Sequence, residues 1–143
     1  MTLLKSYYQL CKPNVVYMML ICAFVGMLLA EQTVSSYTYL FVSLIGIALC
    51  AASAAAINQV IDREADASMT RTDQRPLPKG ELSVTHASLF AFVIGLLGAF
   101  ILYFYVNTLT MILTIGSLIG YAFIYTVYLK RATPQNIVIG GLA

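Results

Sequence analysis

The stretch that decides the fold is Asn58-Gln-Val-Ile-Asp62-Arg-Glu-Ala-Asp66, which directly follows the apolar segment 38–57. Carboxylates beside a segment long enough to cross a bilayer are costly, and by default they mark an ion, substrate or proton site. At about 100° per residue, positions 58, 62 and 66 drift only ~80° around a helix, so their side chains share one face. We therefore predict that Asn58, Asp62 and Asp66 are catalytic residues and Mg²⁺ ligands, because Mg²⁺ combines one or two carboxylates with substrate phosphates.

The composition indicates a membrane protein. Hydrophobic residues make up 60% of the 143 residues, charged residues make up 10%, and the mean hydropathy is +0.84. Soluble domains carry roughly 25% charged residues, so we expect a lipid bilayer to cover much of this surface. The net charge of +2, without a basic run interleaved with aromatic residues, argues against a nucleic-acid partner. Cys11, Cys22 and Cys50 lack the spacing of metal ligands and are interpreted as free thiols.

Four apolar segments are long enough to cross a hydrocarbon core about 30 Å thick. We predict an all-α, polytopic transmembrane helical bundle with four complete spans. A fifth apolar segment begins near Ile137 and stops at Ala143. Small residues, including the run 51–56 and the pair Gly95 and Ala99, predict close helix packing, as do Gly116 and Gly120. The spans are predicted at 14–30, 38–57, 86–106 and 109–129, with a polar loop over 58–85.

Basic residues predict the orientation of these spans. All eight fall on one side of the bilayer, whereas the loops of the opposite side contain none. The positive-inside rule therefore places the N-terminus and the loop 58–85 in the cytoplasm. The eight residues are Lys5, Lys12, Arg63, Arg71, Arg75, Lys79, Lys130 and Arg131.

Several of these cations are also candidate substrate-binding residues. Arg71, Arg75 and Lys79 follow the carboxylates closely, and Lys130 and Arg131 end the fourth span on the same side. Carboxylates alone would repel a diphosphate. A divalent cation together with Arg forks and Lys ammonium groups resolves that repulsion. The five cations therefore predict a site for a phosphorylated substrate.

Two further strings make the chain resemble a known family. The pattern N-x-x-x-D-x-x-x-D resembles the first aspartate-rich motif of the UbiA-type intramembrane prenyltransferases. Within that superfamily, M-T-R-T-D-Q-R-P-L at 69–77 and the string from Tyr125 to Gly141 are similar to the heme O synthase (protoheme IX farnesyltransferase) family, and C-K-P-N at 11–14 fits as well. The resemblance implies nine transmembrane helices around a cavity open to the membrane. It also implies a prenyl diphosphate held through Mg²⁺ by two such motifs, of which Asn58, Asp62 and Asp66 match the first.

The resemblance implies a reaction and a location. The family transfers a farnesyl group from farnesyl diphosphate to a vinyl group of protoheme IX, which gives heme O for terminal oxidases, and the bacterial inner membrane is the expected location. No Asp or Glu lies between Ser83 and Ala143, so the second aspartate-rich motif is expected to be missing with the second half of the enzyme. We therefore expect a fragment or a truncated reading frame that is inactive by itself.

Two alternatives stay open from the residues alone. One is half of a transporter with a cation site, although transporters place coupling charges near the bilayer midplane, and the middles of these spans lack Asp, Glu, Lys and Arg. The other keeps the UbiA-type superfamily but acts on the aromatic ring of a quinone precursor, and the strings at 69–77 and 125–141 count against it. His86, the single histidine, begins the third span and is interpreted as a helix-end residue rather than a heme ligand.

Overall fold

The computed structural model describes residues 3–30, 36–70 and 72–122. These residues form five helices and no strand, which confirms the predicted all-α class for the described part of the chain. A π-helical turn over 120–122 continues the last helix. In chain order, the helices are α1 (Leu3–Leu10), α2 (Pro13–Ala30), α3 (Tyr37–Ala67), α4 (Val84–Tyr105) and α5 (Thr108–Ile119).

Three of the helices, α2, α3 and α4, are apolar and long enough to cross a membrane. Two of them, α2 and α4, begin and end within two residues of the predicted spans 14–30 and 86–106. The predicted span 109–129 begins as α5, and its residues after 122 lie outside the described residues, as does the segment from Ile137. The architecture is that of a polytopic membrane helical bundle.

Helix α3 continues beyond its apolar part. Residues 58–67 are helical, as the shared face predicted for the triad requires, whereas the polar loop was predicted over 58–85. Hydropathy marks where contact with lipid ends, and the Gln, Ile, Arg, Glu and Ala residues of this stretch are adequate helix formers. A helix of 31 residues is about 46 Å long, which exceeds a hydrocarbon core of about 30 Å. The final turns of α3 therefore carry the polar residues out of the apolar layer.

Helices α3 and α4 pack as an antiparallel pair through small residues. A Cβ atom at Gly98 would lie 2.9 Å from the carbonyl oxygen of Gly46, and one at Gly95 would lie 2.7 Å from Oγ of Ser53. The same Ser53 hydroxyl donates to the carbonyl oxygen of Ala91 over 2.7 Å. This confirms the predicted close packing at Gly95. At Gly116 and Gly120, a Cβ atom would meet nothing within 4 Å among the described residues.

Helix α1 joins the polar end of α3 to the start of α4. Its Tyr7 ring packs against Phe90 with ring centroids 4.8 Å apart, and Ser6 donates to Oε2 of Glu81 over 2.8 Å. These contacts surround a cluster of buried apolar side chains, which we call the α1 cluster. It holds the segment after α3 beside the last turns of that helix, and it consists of Leu10, Ala56, Leu77, Leu82, Ala87 and Ala91.

Candidate functional site

The predicted triad lies at the polar end of α3 and is almost completely buried. Asn58 and Asp62 are each 4% exposed, and Asp66 is 5% exposed. Nδ2 of Asn58 donates to Oδ2 of Asp62 over 3.2 Å. Burial of ionised carboxylates is costly unless charged or hydrogen-bonding groups surround them. The neighbours of the triad therefore decide what this site can bind.

Lys12 contacts one end of the triad. It lies between α1 and α2, and its Nζ donates to Oδ1 of Asn58. In the sequence, Lys12 was used to predict orientation and as part of the C-K-P-N string, but it was not predicted as a site residue, so its place in the site was missed. A local signal exists in retrospect, since Lys12 directly precedes Pro13, the first residue of α2. A residue at such a helix junction can turn its side chain back toward neighbouring helices.

Arg75 contacts the other end of the triad. Its Nη1 donates to Oδ2 of Asp66, and the Thr72 hydroxyl donates to the carbonyl oxygen of Asp66 over 3.0 Å. The polar segment therefore turns back on to the helix that precedes it. Arg75 was predicted to bind substrate from its place in the sequence, and the structure brings it to the carboxylates. Whether it contacts substrate stays a prediction.

Gln59 is a second polar residue that the sequence did not indicate, and it is buried. Its Nε2 donates to the carbonyl oxygens of Gln9 and Leu10, over 3.0 and 2.9 Å, so it caps the C-terminal end of α1. Among the described residues, its Oε1 has no hydrogen-bond partner although it is buried. Because Gln59 follows Asn58 directly, it fixes the end of α1, and hence Lys12, beside the triad.

The structure shows no contact between the other predicted residues and the triad among the residues that it describes. Lys79 is exposed, and no hydrogen bond or ion pair joins its side chain to any described residue, although its backbone amide donates to the carbonyl oxygen of Arg75 over 3.1 Å. Arg71, Lys130 and Arg131 lie outside the described residues. His86 lies in the first turn of α4, where its backbone amide donates to Oγ of Ser83, as expected for a helix-end residue.

An apolar cavity of about 310 Å³ opens beside the triad, between α2, α3 and α5. Lys12 is the single charged residue in its lining, and the walls are otherwise aliphatic or small apart from Thr114, Ser117 and Tyr121. The cavity therefore suits a hydrocarbon chain whose polar end lies near Lys12 and Asn58. The remaining lining residues are Val15, Met19, Ala23, Ile47, Cys50, Ala51, Ala54, Ala55 and Leu118.

The oxygen donors of the triad fit a divalent cation only with help from a ligand. Within 3–30, 36–70 and 72–122, no group of three or more His, Cys, Asp or Glu side chains is arranged to hold a metal ion. Two carboxylates and one carboxamide on a single helix face, with one oxygen each, leave half of an octahedral shell to other oxygens. Such incomplete protein coordination is common for Mg²⁺, which completes its shell with water and substrate phosphates. The donor set thus fits Mg²⁺ when other oxygens complete its shell.

Comparison with known proteins agrees with these features. The chain is 57% identical over 139 residues to protoheme IX farnesyltransferase 1 of Shewanella sp. strain ANA-3, and 54% identical to protoheme IX farnesyltransferase 2 of Pseudoalteromonas atlantica. A third relative, protoheme IX farnesyltransferase of Hahella chejuensis, is 52% identical. Each match covers 97% of this chain and 46% of the relative, so the chain spans about half the length of these relatives.

The family comparison concerns most of the chain. No solved structure matches this chain significantly. The UbiA prenyltransferase family matches residues 19–143, which include the complete triad, α3, α5 and the part of α2 from residue 19 onward. The chain belongs to the UbiA prenyltransferase family.

Proposed function

We propose that this chain serves the transfer of a farnesyl group from farnesyl diphosphate to a vinyl group of protoheme IX, which gives heme O. The observation that carries the proposal is the buried face of Asn58, Asp62 and Asp66, flanked by Lys12 and Arg75, beside an apolar cavity. Such a site suits the diphosphate ester of a long apolar alcohol. The names of the curated relatives supply the acceptor, protoheme IX.

In this proposal, the polar end of α3 stabilises the leaving diphosphate. Asn58, Asp62 and Asp66 would hold Mg²⁺, which supplies positive charge for the oxygens of the diphosphate. The C1–O bond of the farnesyl ester breaks, and its electron pair leaves with the diphosphate. Arg75 offers a guanidinium group nearby, and such preorganised charge is worth several kcal/mol of barrier. Further positive charge would come from Lys79 and from the predicted cations Arg71, Lys130 and Arg131.

The apolar cavity would protect the allylic carbocation from water. Most of its walls are aliphatic or small side chains, and the Cys50 thiol in the lining is buried. The terminal carbon of the protoheme vinyl group then forms a C–C bond with C1 of the farnesyl group. The carbocation left on the second vinyl carbon takes up water and loses a proton, which gives the hydroxyethyl link. No protein nucleophile is needed.

A chimera tests this proposal. The chain replaces the corresponding part of the Shewanella relative, and membranes that contain the chimera receive farnesyl diphosphate, protoheme IX and Mg²⁺. We expect heme O by mass spectrometry, and we expect Asp62→Ala to remove most of it while the protein still inserts into membranes. Near-normal heme O formation by the Asp62→Ala chimera would refute the assigned role of the triad.

The same assay addresses the acceptor and the membrane. A chimera that prenylates a quinone-precursor ring, and leaves protoheme unchanged, would replace the proposed acceptor with the aromatic alternative. Fractionation of bacterial membranes should place the chain in the inner membrane. This location, with the N-terminus and the aspartate-rich segment 58–85 in the cytoplasm, is part of the proposal, and it rests on the distribution of basic residues.

A further inference from the structure

Lys12 has a backbone conformation that lysine rarely adopts. Its φ is +48°, in the left-handed region that normally belongs to glycine. Its amide donates to the carbonyl oxygen of Gln9 over 3.1 Å, and its own carbonyl oxygen accepts from the amide of Val15 over 2.9 Å. One residue therefore ends α1 and begins α2. Such strain persists where the surrounding structure enforces it, and it is found most often at functional sites.

The side chain of Lys12 connects the two parts of the proposed site. It lines the apolar cavity, and its ammonium group contacts Oδ1 of Asn58 in the triad. Of the described residues that line this cavity, Lys12 alone also bonds to the triad through a charged group. A diphosphate whose apolar chain entered the cavity would thus pass this ammonium group on its way to Asp62 and Asp66.

We propose that Lys12 is a substrate-binding residue whose ammonium group binds the diphosphate at the mouth of the cavity. This inference rests on the proposed function and adds a cation that the loop motif does not contain. A diphosphate oxygen carries more negative charge than the carboxamide oxygen of Asn58. When the diphosphate arrives, the ammonium group therefore leaves Oδ1 of Asn58 and donates to the diphosphate. The exchange frees Oδ1 of Asn58 for the cation that enters with the substrate.

The phosphate could belong to a soluble diphosphate or to a lipid headgroup. The direction of the side chain favours the diphosphate, because the ammonium group is bonded to a buried residue of α3. A lysine that served lipid headgroups would extend toward the membrane surface. Lys5 offers a comparison, since it lies on α1 and its side chain is exposed.

The test uses the whole chain in phosphatidylcholine nanodiscs, with magnesium pyrophosphate as the probe and calorimetry as the measurement. Lys12→Gly removes the ammonium group and relieves the strained backbone, because glycine adopts a φ of +48° freely. Lys12→Arg keeps a positive charge, and Lys5→Met is the matched control. We expect Lys12→Gly to weaken pyrophosphate binding roughly 10- to 100-fold, as for the loss of a charged hydrogen bond. Its melting temperature should change little, because relief of the strained backbone offsets the lost hydrogen bond to Asn58.

The other variants sharpen this expectation. Lys12→Arg should retain most of the affinity, and Lys5→Met should retain all of it. In the chimera, Lys12→Gly should raise the KM for farnesyl diphosphate more than it lowers kcat. A structural role would instead lower the melting temperature and the affinity together.

Several results would overturn the inference. The first is that Lys12→Gly binds pyrophosphate as tightly as the unaltered chain does. The second is that the unaltered chain does not bind pyrophosphate. The third is that Lys12→Gly changes binding only in nanodiscs that contain phosphatidylglycerol. The last result would assign Lys12 to lipid headgroups. Failure of the proposed function is separate. If the chimera forms no heme O but pyrophosphate binding depends on Lys12, the proposed reaction fails and the inference about Lys12 stands.

Discussion

Arg75 donates a hydrogen bond from Nη1 to Oδ2 of Asp66 over 2.5 Å, and the two residues lie nine positions apart in the chain. The carboxylate side chain is 7% exposed and the guanidinium side chain is 31% exposed. The ion pair therefore fixes the path of the segment after α3, and it places a guanidinium group at the buried triad. Removing either partner leaves the other charge without its main counterpart.

The first prediction concerns this ion pair. Asp66→Asn and Arg75→Gln should each lower stability by roughly 1–3 kcal/mol, because each leaves a partly buried polar group unsatisfied. The double variant should cost less than the sum, since residues in direct contact are energetically coupled. Thermal unfolding in detergent, followed with a thiol-reactive dye, measures all three variants.

A matched control is available in the same chain. Arg63 and Glu64 also form an ion pair, at 3.0 Å, but their side chains are 44% and 84% exposed. Arg63→Gln should therefore change stability by less than about 1 kcal/mol. If the effects of Asp66→Asn and Arg75→Gln simply add, the contact does not stabilise the fold.

The second prediction concerns the packing of α3 against α4. A Cβ atom at Gly98 would lie 2.9 Å from the carbonyl oxygen of Gly46 and 3.0 Å from the amide nitrogen of Cys50, and backbone atoms cannot move aside easily. Gly98→Ala should thus destabilise the bundle by about 1–3 kcal/mol. Gly116→Ala, where the added atom meets nothing within 4 Å, should be neutral or slightly stabilising. Equal melting temperatures for the two variants would argue against this helix contact.

The third prediction concerns the attachment of α1. Gln59→Glu removes the amide donor that serves the carbonyl oxygens of Gln9 and Leu10, and it places a carboxylate beside them. We expect faster hydrogen exchange of the α1 amides and faster alkylation of Cys11, because local opening of α1 becomes easier. Gln74→Glu, at an exposed position of the polar segment, is the control and should change neither rate. Unchanged exchange in Gln59→Glu would show that the other contacts of α1 hold it without the Gln59 amide.

The fourth prediction is a pH dependence. Burial raises the pKa of the Cys11 thiol above its ordinary value of 9.0, because the thiolate is poorly solvated there. The thiolate is the reactive form, so alkylation by iodoacetamide should be slow at pH 7 and should still be rising beyond pH 9. The rate is measured in a chain that carries Cys22→Ala and Cys50→Ala. A plateau below pH 9 would contradict the assigned cause.

The fifth prediction concerns orientation. Ser68 and Asn107 are both exposed and lie at opposite ends of the bundle, one after α3 and the other before α5. With the native cysteines replaced, Ser68→Cys should react with a membrane-impermeant maleimide only in inverted vesicles, and Asn107→Cys only in right-side-out cells. The reverse pattern would invert the orientation that the basic residues predict.

Much of the candidate site could be predicted from local sequence. The spacing of Asn58, Asp62 and Asp66 determines a shared helix face whatever the rest of the chain does, because the period of a helix is local. Arg75 could be associated with these residues because it follows them closely. The spans were predictable because 20 apolar residues have few alternatives to a membrane. The residue at which α3 ends was not predictable in this way, because hydropathy reports contact with lipid and does not report hydrogen bonding of the backbone.

The contribution of Lys12 and Gln59 was decided only by the tertiary structure. Lys12 lies 46 residues before Asn58, and Gln59 lies 49 residues after Leu10, so no local pattern joins them. Their contacts depend on how α1 and α2 pack against α3, which follows from many small contacts between apolar surfaces. The sequence by itself determined a row of oxygens at the end of a membrane helix. Packing decided which cations meet those oxygens, because long-range contacts form only when the helices assemble.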